Sequence, residues 1–247
     1  MPISVSYIKH IRSLQQKKFR KESGFFIVEG VKTVQELVNS STEIEAIYTT
    51  EDFDFLNEVN SDLVQSIKQK ELERVSALRS PNKILAVAKI PEPKDIDWNA
   101  SLILMLDGIN DPGNLGTIIR TAKWFGVSTI LCSEDCSDAF DRKVVQSTMG
   151  ALFHVNIRYN DLRMIVEECQ KNEFSIIGAA MSGESIYQYP RTTKTVLIIG
   201  SESHGISQDL LKKCDATITV PNNEIEQKVE SLNAGIATSI LLSELTK

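Results

Sequence analysis

The sequence predicts an α/β protein organised on a mainly parallel sheet. Short apolar runs alternate with segments whose apolar residues recur every three or four positions, as strands and helices do when they alternate along a chain. The runs that begin at Leu102, Thr129 and Val196 are apolar throughout, which is typical of strands buried on both faces. The length of 247 residues and the hydrophobic content of 42% allow one large domain or two modest ones.

The first 90 residues are expected to form a small three-layer α/β unit. Val5, Ile8, Ile11 and Leu14 have helical spacing, so residues 5–22 are predicted to be a helix followed by a basic tail. Strands are predicted at 25–28, 44–48, 63–67 and 84–88, and further helices at 30–39, 52–59 and 70–78. Charges and prolines then interrupt the pattern. We therefore predict domains at 1–90 and 99–247, joined by a linker at 91–98.

The second part of the chain is organised around residues 102–127. A buried strand ends at Leu106, a polar elbow follows at 110–114, and a helix then carries Leu115, Ile118 and Ile119. Further strands are predicted at 129–132, 153–157, 175–180, 196–200 and 216–220, and further helices at 138–149, 161–171, 207–213 and 229–245. This alternation predicts a mainly parallel sheet with helices on both faces.

The charge distribution indicates where a nucleic acid could bind. The formal net charge of −6 argues against a binder that relies on electrostatics alone. The first helix and its tail are nonetheless strongly basic, and we predict contacts with RNA phosphates there, the alternative being a solvated helix face. The candidate residues are Lys9, Arg12, Lys17, Lys18, Arg20 and Lys21.

The four cysteines and three histidines have no zinc-binding or redox spacing, so we predict free thiols, no metal, and packing roles for Cys132 and Cys136. No segment resembles a signal peptide or is long enough to span a bilayer. We therefore expect a soluble cytoplasmic protein.

Three polar loops follow apolar strands and are expected to meet at one edge of the parallel sheet. They are the elbow, the loop at 200–205 and the loop at 221–233. Neither a Walker A motif nor a strand followed by G-x-G-x-x-G is present. The edge is thus a predicted ligand site without a familiar nucleotide fingerprint.

These loops carry three ordered motifs: Asn110-x-x-Gly113-Asn114-x-Gly116-x-x-x-Arg120, then Ile199-Gly200-x-Glu202-x-x-Gly205, then Val220-Pro221 with Ser231-Leu232-Asn233. Together they resemble the motifs of the SpoU (TrmH-type) RNA ribose 2′-O-methyltransferases, from residue 102 to the C-terminus. Residues 1–90 resemble the L30e-like substrate-binding domain of that family, most clearly at Phe26-Ile-Val-Glu-Gly30.

The resemblance implies S-adenosyl-L-methionine as cofactor, rRNA or tRNA as substrate, and a homodimer with the RNA site assembled across its interface. It also implies a C-terminal deep trefoil knot that forms the cofactor pocket. By position, the implied catalytic residues are Arg120, Asn114, Glu202, Ser231 and Asn233. The cofactor would contact Gly200, Val220, Pro221, Leu232 and Asn233, with Ile199, Val220 and Leu232 able to supply an apolar slot.

The third motif departs from the family pattern. Residues 222–228 are longer than usual and contain no glycine, and Ala234-Gly235-Ile236 replaces a valine-serine continuation, which predicts a different pocket rim. Several alternatives stay open. Asn114 or Ser231 could cap a helix, Glu202 could be a solvated acid, and Arg120 could be a surface residue.

Other residues near these motifs have simpler interpretations. His204 is interpreted as incidental to the site. Trp124 and Phe125 are interpreted as part of the core or of a dimer interface, and the final helix could also belong to the core or to a dimer interface. If Arg120 is catalytic, it acts as a base or stabilises a developing alkoxide.

Three functions compete on the sequence. The first is an S-adenosylmethionine-dependent RNA 2′-O-methyltransferase. The second is a noncatalytic RNA-binding relative, supported only by the altered third motif. The third is a small-molecule α/β enzyme, which the basic first helix disfavours.

Overall fold

The computed structural model describes residues 3–76, 78, 80–190, 192–222 and 231–247. The helices are α1 Val5–Ser13, α2 Lys17–Ser23, α3 Val31–Val38, α4 Gln69–Val75, α5 Pro112–Trp124, α6 Arg142–Thr148, α7 Leu162–Lys171, α8 Gln208–Leu211 and α9 Ala234–Leu245. The strands are β1 Phe25–Glu29, β2 Ile44–Thr49, β3 Val64–Ser66, β4 Ile84–Lys89, β5 Leu102–Asp107, β6 Thr129–Cys132, β7 Asn156–Tyr159, β8 Ser175–Ser185, β9 Thr195–Gly200 and β10 Ala216–Thr219. Among the described residues, short 3₁₀ helices span Asp54–Glu58, Ser61–Leu63 and Ala151–His154.

The chain forms two compact units, and each is discontinuous in sequence. The first comprises Met1–Glu92 and Asp138–His154, and the second comprises Pro93–Ser137 and Val155–Lys247. The segment Asp138–His154 falls within the range 99–247 that the sequence assigns to the C-terminal domain, yet its contacts are those of the first unit. The segment therefore interrupts the sequence of the second unit and packs as part of the first.

The first unit is built on a four-stranded sheet in the order β1-β4-β2-β3. The pairs β1/β4 and β2/β4 are antiparallel, and β2/β3 is parallel. The core on one side packs α1 and α4 against the sheet, with Ile11, Leu14 and Leu72 almost fully buried. The basic segment predicted as a helix with a tail is thus two helices, α1 and α2.

The segment Asp138–His154 is held in the first unit by aromatic packing and an ion pair. The ring of Phe26 in β1 lies 4.9 Å from that of Phe140 and 6.5 Å from that of Phe153, measured between centroids. The guanidinium of Arg20 donates to Oδ2 of Asp138 at 3.0 and 2.6 Å and to the carbonyl of Leu14 at 2.8 Å. Arg20 is 2% exposed and the side chain of Asp138 is 15% exposed, so the guanidinium is buried and its partner carboxylate is partly buried.

The second unit contains a six-stranded sheet in the order β10-β8-β9-β5-β6-β7, and the pairs between its neighbouring strands are parallel. This agrees with the predicted mainly parallel sheet. The central strands β5 and β9 pair in register from Leu102 with Thr195 to Asp107 with Gly200. Their inner residues are buried, because parallel strands are covered on both faces.

Strand β8 departs from its predicted length. It continues to Ser185, and its pairing with β10 skips from Gly178 to Glu184. The intervening residues, which include Ala179–Gly183, therefore leave the ladder as a bulge. Gly183 allows β8 to pair with β10 again after the bulge, because the two backbones approach closely there. An added Cβ would lie 2.5 Å from the carbonyl carbon of Ile218.

Two other predictions need correction. The strand predicted at 153–157 begins only at Asn156, because residues 151–154 form a 3₁₀ turn in the first unit. The last helix begins at Ala234, where Asn233 provides the cap, and residues 229 and 230 lie outside the described residues. None of the helices that the structure describes has the length and apolar character needed to cross a bilayer.

Candidate functional site

The carboxyl ends of β5, β9 and β10 place the three motif loops at one edge of the sheet, where parallel α/β folds bind ligands. Asp107 closes β5, and its Oδ2 accepts a hydrogen bond of 2.7 Å from the backbone N–H of Ser207, beyond the second loop. The second loop is closed by a bridge in which Ser201 and Gly205 exchange backbone hydrogen bonds of 3.2 and 2.8 Å.

A three-residue polar cluster joins the motifs. Oδ1 of Asn233 caps α9 by accepting from the N–H groups of Gly235 and Ile236 at 3.0 and 3.3 Å. Its Nδ2 therefore donates to Oδ1 of Asn114 at 2.7 Å and to Oε1 of Glu202 at 2.8 Å. Capping thus fixes the orientation of the amide and aims its donors at the other two motifs.

Oε1 of Glu202 is the common acceptor of this cluster. It accepts from Nδ2 of Asn233, from Nδ2 of Asn114 at 3.1 Å and from the backbone N–H of Ala234 at 3.1 Å. The last donor belongs to the N-terminus of α9, where a carboxylate is favoured by the helix dipole. Glu202 is therefore held by three N–H groups rather than being a loosely solvated acid.

The helix caps differ from those expected. Asp111 caps α5, with Pro112 in its first turn, so the helix begins before Asn114. The side chain of Asn114 is thereby free to join the cluster, while its backbone N–H donates to Oδ1 of Asp111 at 2.8 Å. Asn233, rather than Ser231, caps α9.

A cavity of about 650 Å³ opens beside the cluster, within the range of about 300–1,000 Å³ typical of small-molecule sites. Of the predicted cofactor contacts, Ile199, Gly200, Val220, Pro221 and Leu232 line it, together with Glu202 and Ser231 from the predicted catalytic set. Asn114, Arg120 and Asn233 are not among its lining residues. The residues that follow Asn222 in the third loop, 223–230, lie outside the described residues.

Arg120 is apart from the cluster for a geometric reason. It follows Asn114 by six residues, which turns it by roughly 120° around the helix and moves it about 9 Å along the axis. It is exposed, and in the described part of the chain no hydrogen bond or ion pair of its guanidinium is found. Close packing of α9 occupies another face of α5, where a Cβ on Gly235 would lie 2.9 Å from Cγ2 of Thr117.

Some lining residues had no clear signal in the sequence. The bulge of β8 brings Ala179, Ala180 and Met181 to the cavity wall, but bulges are not readable from residue periodicity. His204 also lines the cavity, although its loop position favoured an incidental role. The sequence feature that points to a place for His204 at the cavity is its position inside the second motif, two residues after Glu202.

The six basic candidates of α1 and α2 separate into two groups. Lys9, Arg12, Lys17, Lys18 and Lys21 are exposed. Arg20 is buried, with its guanidinium committed to Asp138 and Leu14. Trp124, interpreted as core or interface, is 84% exposed and so is not core.

A parallel α/β sheet with a largely apolar cavity at its strand ends has the architecture in which α/β proteins bind small organic ligands between loops. Residues 101–243 match the model of the SpoU rRNA Methylase family, and residues 6–86 match that of an MRM3-like substrate binding domain. The chain belongs to the SpoU rRNA methylase family, which confirms the resemblance of its motifs.

Individual relatives agree with this assignment. The chain is 30% identical over 244 residues to the 23S rRNA (guanosine(2553)-2′-O)-methyltransferase RlmP of Bacillus subtilis, covering 96% of this chain and 95% of the relative. An AdoMet-bound rRNA methyltransferase from Sinorhizobium meliloti superposes with a TM-score of 0.86 at 28% identity, covering 98% of this chain and 95% of that one. A TrmH-family chain from Porphyromonas gingivalis superposes with a TM-score of 0.87 at 33% identity, covering 99% and 98%. These relatives support the catalytic function over the noncatalytic alternative.

Proposed function

We propose that the protein transfers a methyl group from S-adenosyl-L-methionine to a ribose 2′-hydroxyl of 23S rRNA, at a guanosine as in RlmP. The observation that carries the proposal is the cavity at the strand ends, beside hydrogen bonds that link Asn114, Glu202 and Asn233 from the three motifs. The family match and the function of the B. subtilis relative support the choice of substrate.

The cavity fits the proposed cofactor in size and in the character of its wall. Ile199, Val220 and Leu232 form an apolar surface suited to an adenine ring. Gly200 allows close approach of backbone segments, since an added Cβ would lie 2.0 Å from the carbonyl carbon of Gly205. The cofactor supplies a methyl group on a positively charged sulfonium. Glu202 is the one carboxylate among the described residues that line the cavity.

The side chains of the cluster have distinct proposed roles. Asn114 and Asn233 hold Glu202 and fix the separation of the three loops. Ser231, exposed at the cavity rim, is placed to hydrogen-bond ligand or substrate. Arg120 keeps its positive charge and stabilises the developing negative charge on the ribose oxygen or holds the neighbouring phosphate.

The position of Arg120 supports a homodimer. Arg120, Trp124 and Ile236 are exposed on the neighbouring helices α5 and α9, with Trp124 at 84% and Ile236 at 52%. Large exposed apolar side chains on one face mark an interaction surface. In the proposed dimer this face meets a second copy, and Arg120 of one protomer completes the site of the other. Sedimentation equilibrium of the wild type and of Trp124→Glu tests this, with a monomeric wild type at micromolar concentration as the contrary result.

Other family features are also proposals. The trefoil knot in the second unit and the L30e-like character of the first are supported by the family match and by the solved relatives. The first unit would bind RNA through the exposed cations of α1 and α2, with Arg20 excluded because it is buried. The domain ranges 1–90 and 99–247 stay predictions. A cytoplasmic location is proposed from the RNA substrate and agrees with four free cysteines.

The activity is tested with tritiated methyl transfer from S-adenosylmethionine to total RNA from cells that lack the protein. Digestion of labelled RNA to nucleosides should yield 2′-O-methylguanosine from the 23S fraction. Arg120→Ala should abolish transfer while the variant remains folded and binds S-adenosylhomocysteine. Lys123→Ala, a change of another exposed cation of α5, is the matched control. Absence of label in every RNA fraction with the wild type would refute the proposed function.

A further inference from the structure

The connection between β5 and α5 determines where two of the predicted site residues lie. Residues 108–111, all within the described part of the chain, form neither a helix nor a strand. Their backbone polar groups therefore need partners elsewhere in the fold. Asp111 ends the connection and caps α5, and α5 carries both Asn114 and Arg120. Whatever holds this connection in place also sets the position of those two side chains.

A loop that follows β6, residues 133–137, supplies the partners. At the start of the connection, the backbone N–H of Gly108 donates to Oγ of Ser133 at 2.9 Å. Further along, Oγ of Ser137 donates to the carbonyl of Asn110 at 2.5 Å. Both ends of the loop thus hydrogen-bond to the backbone of the β5–α5 connection.

The thiol of Cys136 holds the middle of the connection. Its Sγ accepts from the backbone N–H of Ile109 at 3.2 Å and donates to the carbonyl of Leu106 in β5 at 3.3 Å. The carbonyl of Ile109 in turn accepts from the N–H of Ser137 at 2.9 Å. Cys136 and Ile109 are both buried, so water does not replace the thiol, and a buried N–H without a partner is costly. The sequence predicts a packing role for Cys136, and the structure adds these hydrogen bonds.

The cofactor cavity is built from other parts of the chain. Its described lining residues belong to β8, to the second and third loops with the strands before them, and to α9. A change in the loop at 133–137 would therefore displace the start of α5 while leaving these lining residues in place. Such a change should lower the rate of methyl transfer more than the affinity for the cofactor.

We propose that Cys136 is a positioning residue for the methyl transfer, at the centre of the loop 133–137, an inference that rests on the proposed function. Its thiol fixes the backbone of the β5–α5 connection. The connection fixes where α5 begins, and with it the places of Asn114 and Arg120. Cys136 thus acts through the backbone and not at the reacting atoms.

Two substitutions of Cys136 test the proposal by single-turnover methyl transfer to the RNA fraction that the wild type labels. Cys136→Ala removes both hydrogen bonds, and the rate should fall by about 10–100-fold, since a misplacement of about 1 Å can cost about 100-fold. Cys136→Ser keeps a group that can accept from Ile109 and donate to Leu106, so it should recover most of that rate. Affinity for S-adenosylhomocysteine, measured by calorimetry, should change by less than about threefold in both variants.

The matched control is Cys169→Ala, which truncates another buried thiol in the core of the same unit and should keep the wild-type rate. Ser137→Ala tests the loop without opening a cavity in the core, because Ser137 is only partly buried. It removes the hydrogen bond to the carbonyl of Asn110 and should lower the rate in the same direction. This second variant decides the matter if Cys136→Ala does not fold.

Amide hydrogen exchange gives a readout that needs no RNA. The N–H of Ile109 should exchange faster in Cys136→Ala than in the wild type or in Cys169→Ala, and Cys136→Ser should restore its protection. Unchanged exchange at Ile109 in Cys136→Ala would overturn the inference, whether or not the wild type methylates RNA. So would a rate within threefold of wild type, a Cys136→Ser variant as slow as Cys136→Ala, or a rate loss matched by an equal loss of cofactor affinity. A wild type that labels no RNA refutes the proposed function instead, and is thereby distinguished from these results.

Discussion

Gly200→Ala should disrupt the cofactor loop, because the space beside Gly200 is filled by backbone. An added Cβ would lie 2.0 Å from the carbonyl carbon of Gly205 and 2.2 Å from the nitrogen of Ile206. Ordinary carbon–carbon contacts are roughly 3.5–4.0 Å, so the strand end and the loop would have to separate by more than about 1 Å. The segment that carries Glu202 and His204 would move with them.

The expected loss follows from two contributions. Overpacking in a tight site costs about 1–3 kcal/mol. The two backbone hydrogen bonds between Ser201 and Gly205 would be strained or lost, at about 0.5–1.5 kcal/mol each. We therefore expect the free energy of unfolding to fall by about 2–6 kcal/mol. Affinity for S-adenosylhomocysteine should fall by at least about 100-fold, equivalent to about 2.7 kcal/mol.

The control is Gly205→Ala in the same loop. Gly205 has φ of +67° and nothing within 4 Å of an added Cβ, so the change introduces left-handed strain without a clash. That strain costs about 1–2 kcal/mol. Urea unfolding and calorimetry compare the two variants. Gly200→Ala with stability within 1 kcal/mol of wild type and near-normal affinity would refute the steric argument.

Two further changes separate structural from catalytic roles. Asn233→Ser keeps a capping oxygen but removes the two hydrogen bonds that Nδ2 donates. The free energy of unfolding should therefore change by less than about 0.5 kcal/mol, while the rate of methyl transfer should fall at least about tenfold. A wild-type rate in this variant would contradict the role of the cluster. Arg20→Met leaves Asp138 without its buried partner and should lower the free energy of unfolding by about 3–5 kcal/mol in urea titration, with RNA affinity unchanged. Lys18→Met is the exposed control, and a loss below 1 kcal/mol for Arg20→Met would contradict the stabilising role of this ion pair.

Most elements of the second unit could be predicted because buried parallel strands have a simple sequence pattern. The strand at 129–132 is observed with the predicted bounds, and the strand predicted at 196–200 begins one residue earlier. The extension of β8 could not be predicted. Residues 179–185 lack an apolar period, and the bulge exists because Gly183 fits against the backbone of Ile218.

The site was predictable in its motifs and less so in its geometry. The resemblance of the motifs to those of the family implies that Asn114, Glu202 and Asn233 belong to one site, and the structure joins them by hydrogen bonds. The cap of α9 was harder to place, because Ser231 and Asn233 are both good capping residues. The interpretation of His204 as incidental rested on the lack of an assigned partner. Its contact with Ser203 depends on a loop conformation that residue types alone do not specify.

The packing of Asp138–His154 in the first unit affects how the chain can fold during synthesis. After Glu92 has been made, roughly 60 further residues must follow before His154 completes that unit, which takes about 3–12 s at ~5–20 residues per second. During that interval Arg20 lacks its carboxylate and Phe26 lacks both of its aromatic neighbours. A fragment ending at the linker would keep this state permanently, so the excised N-terminal region should aggregate or remain partly unfolded. Supplying 138–154 through a short graft would restore the missing part of its core.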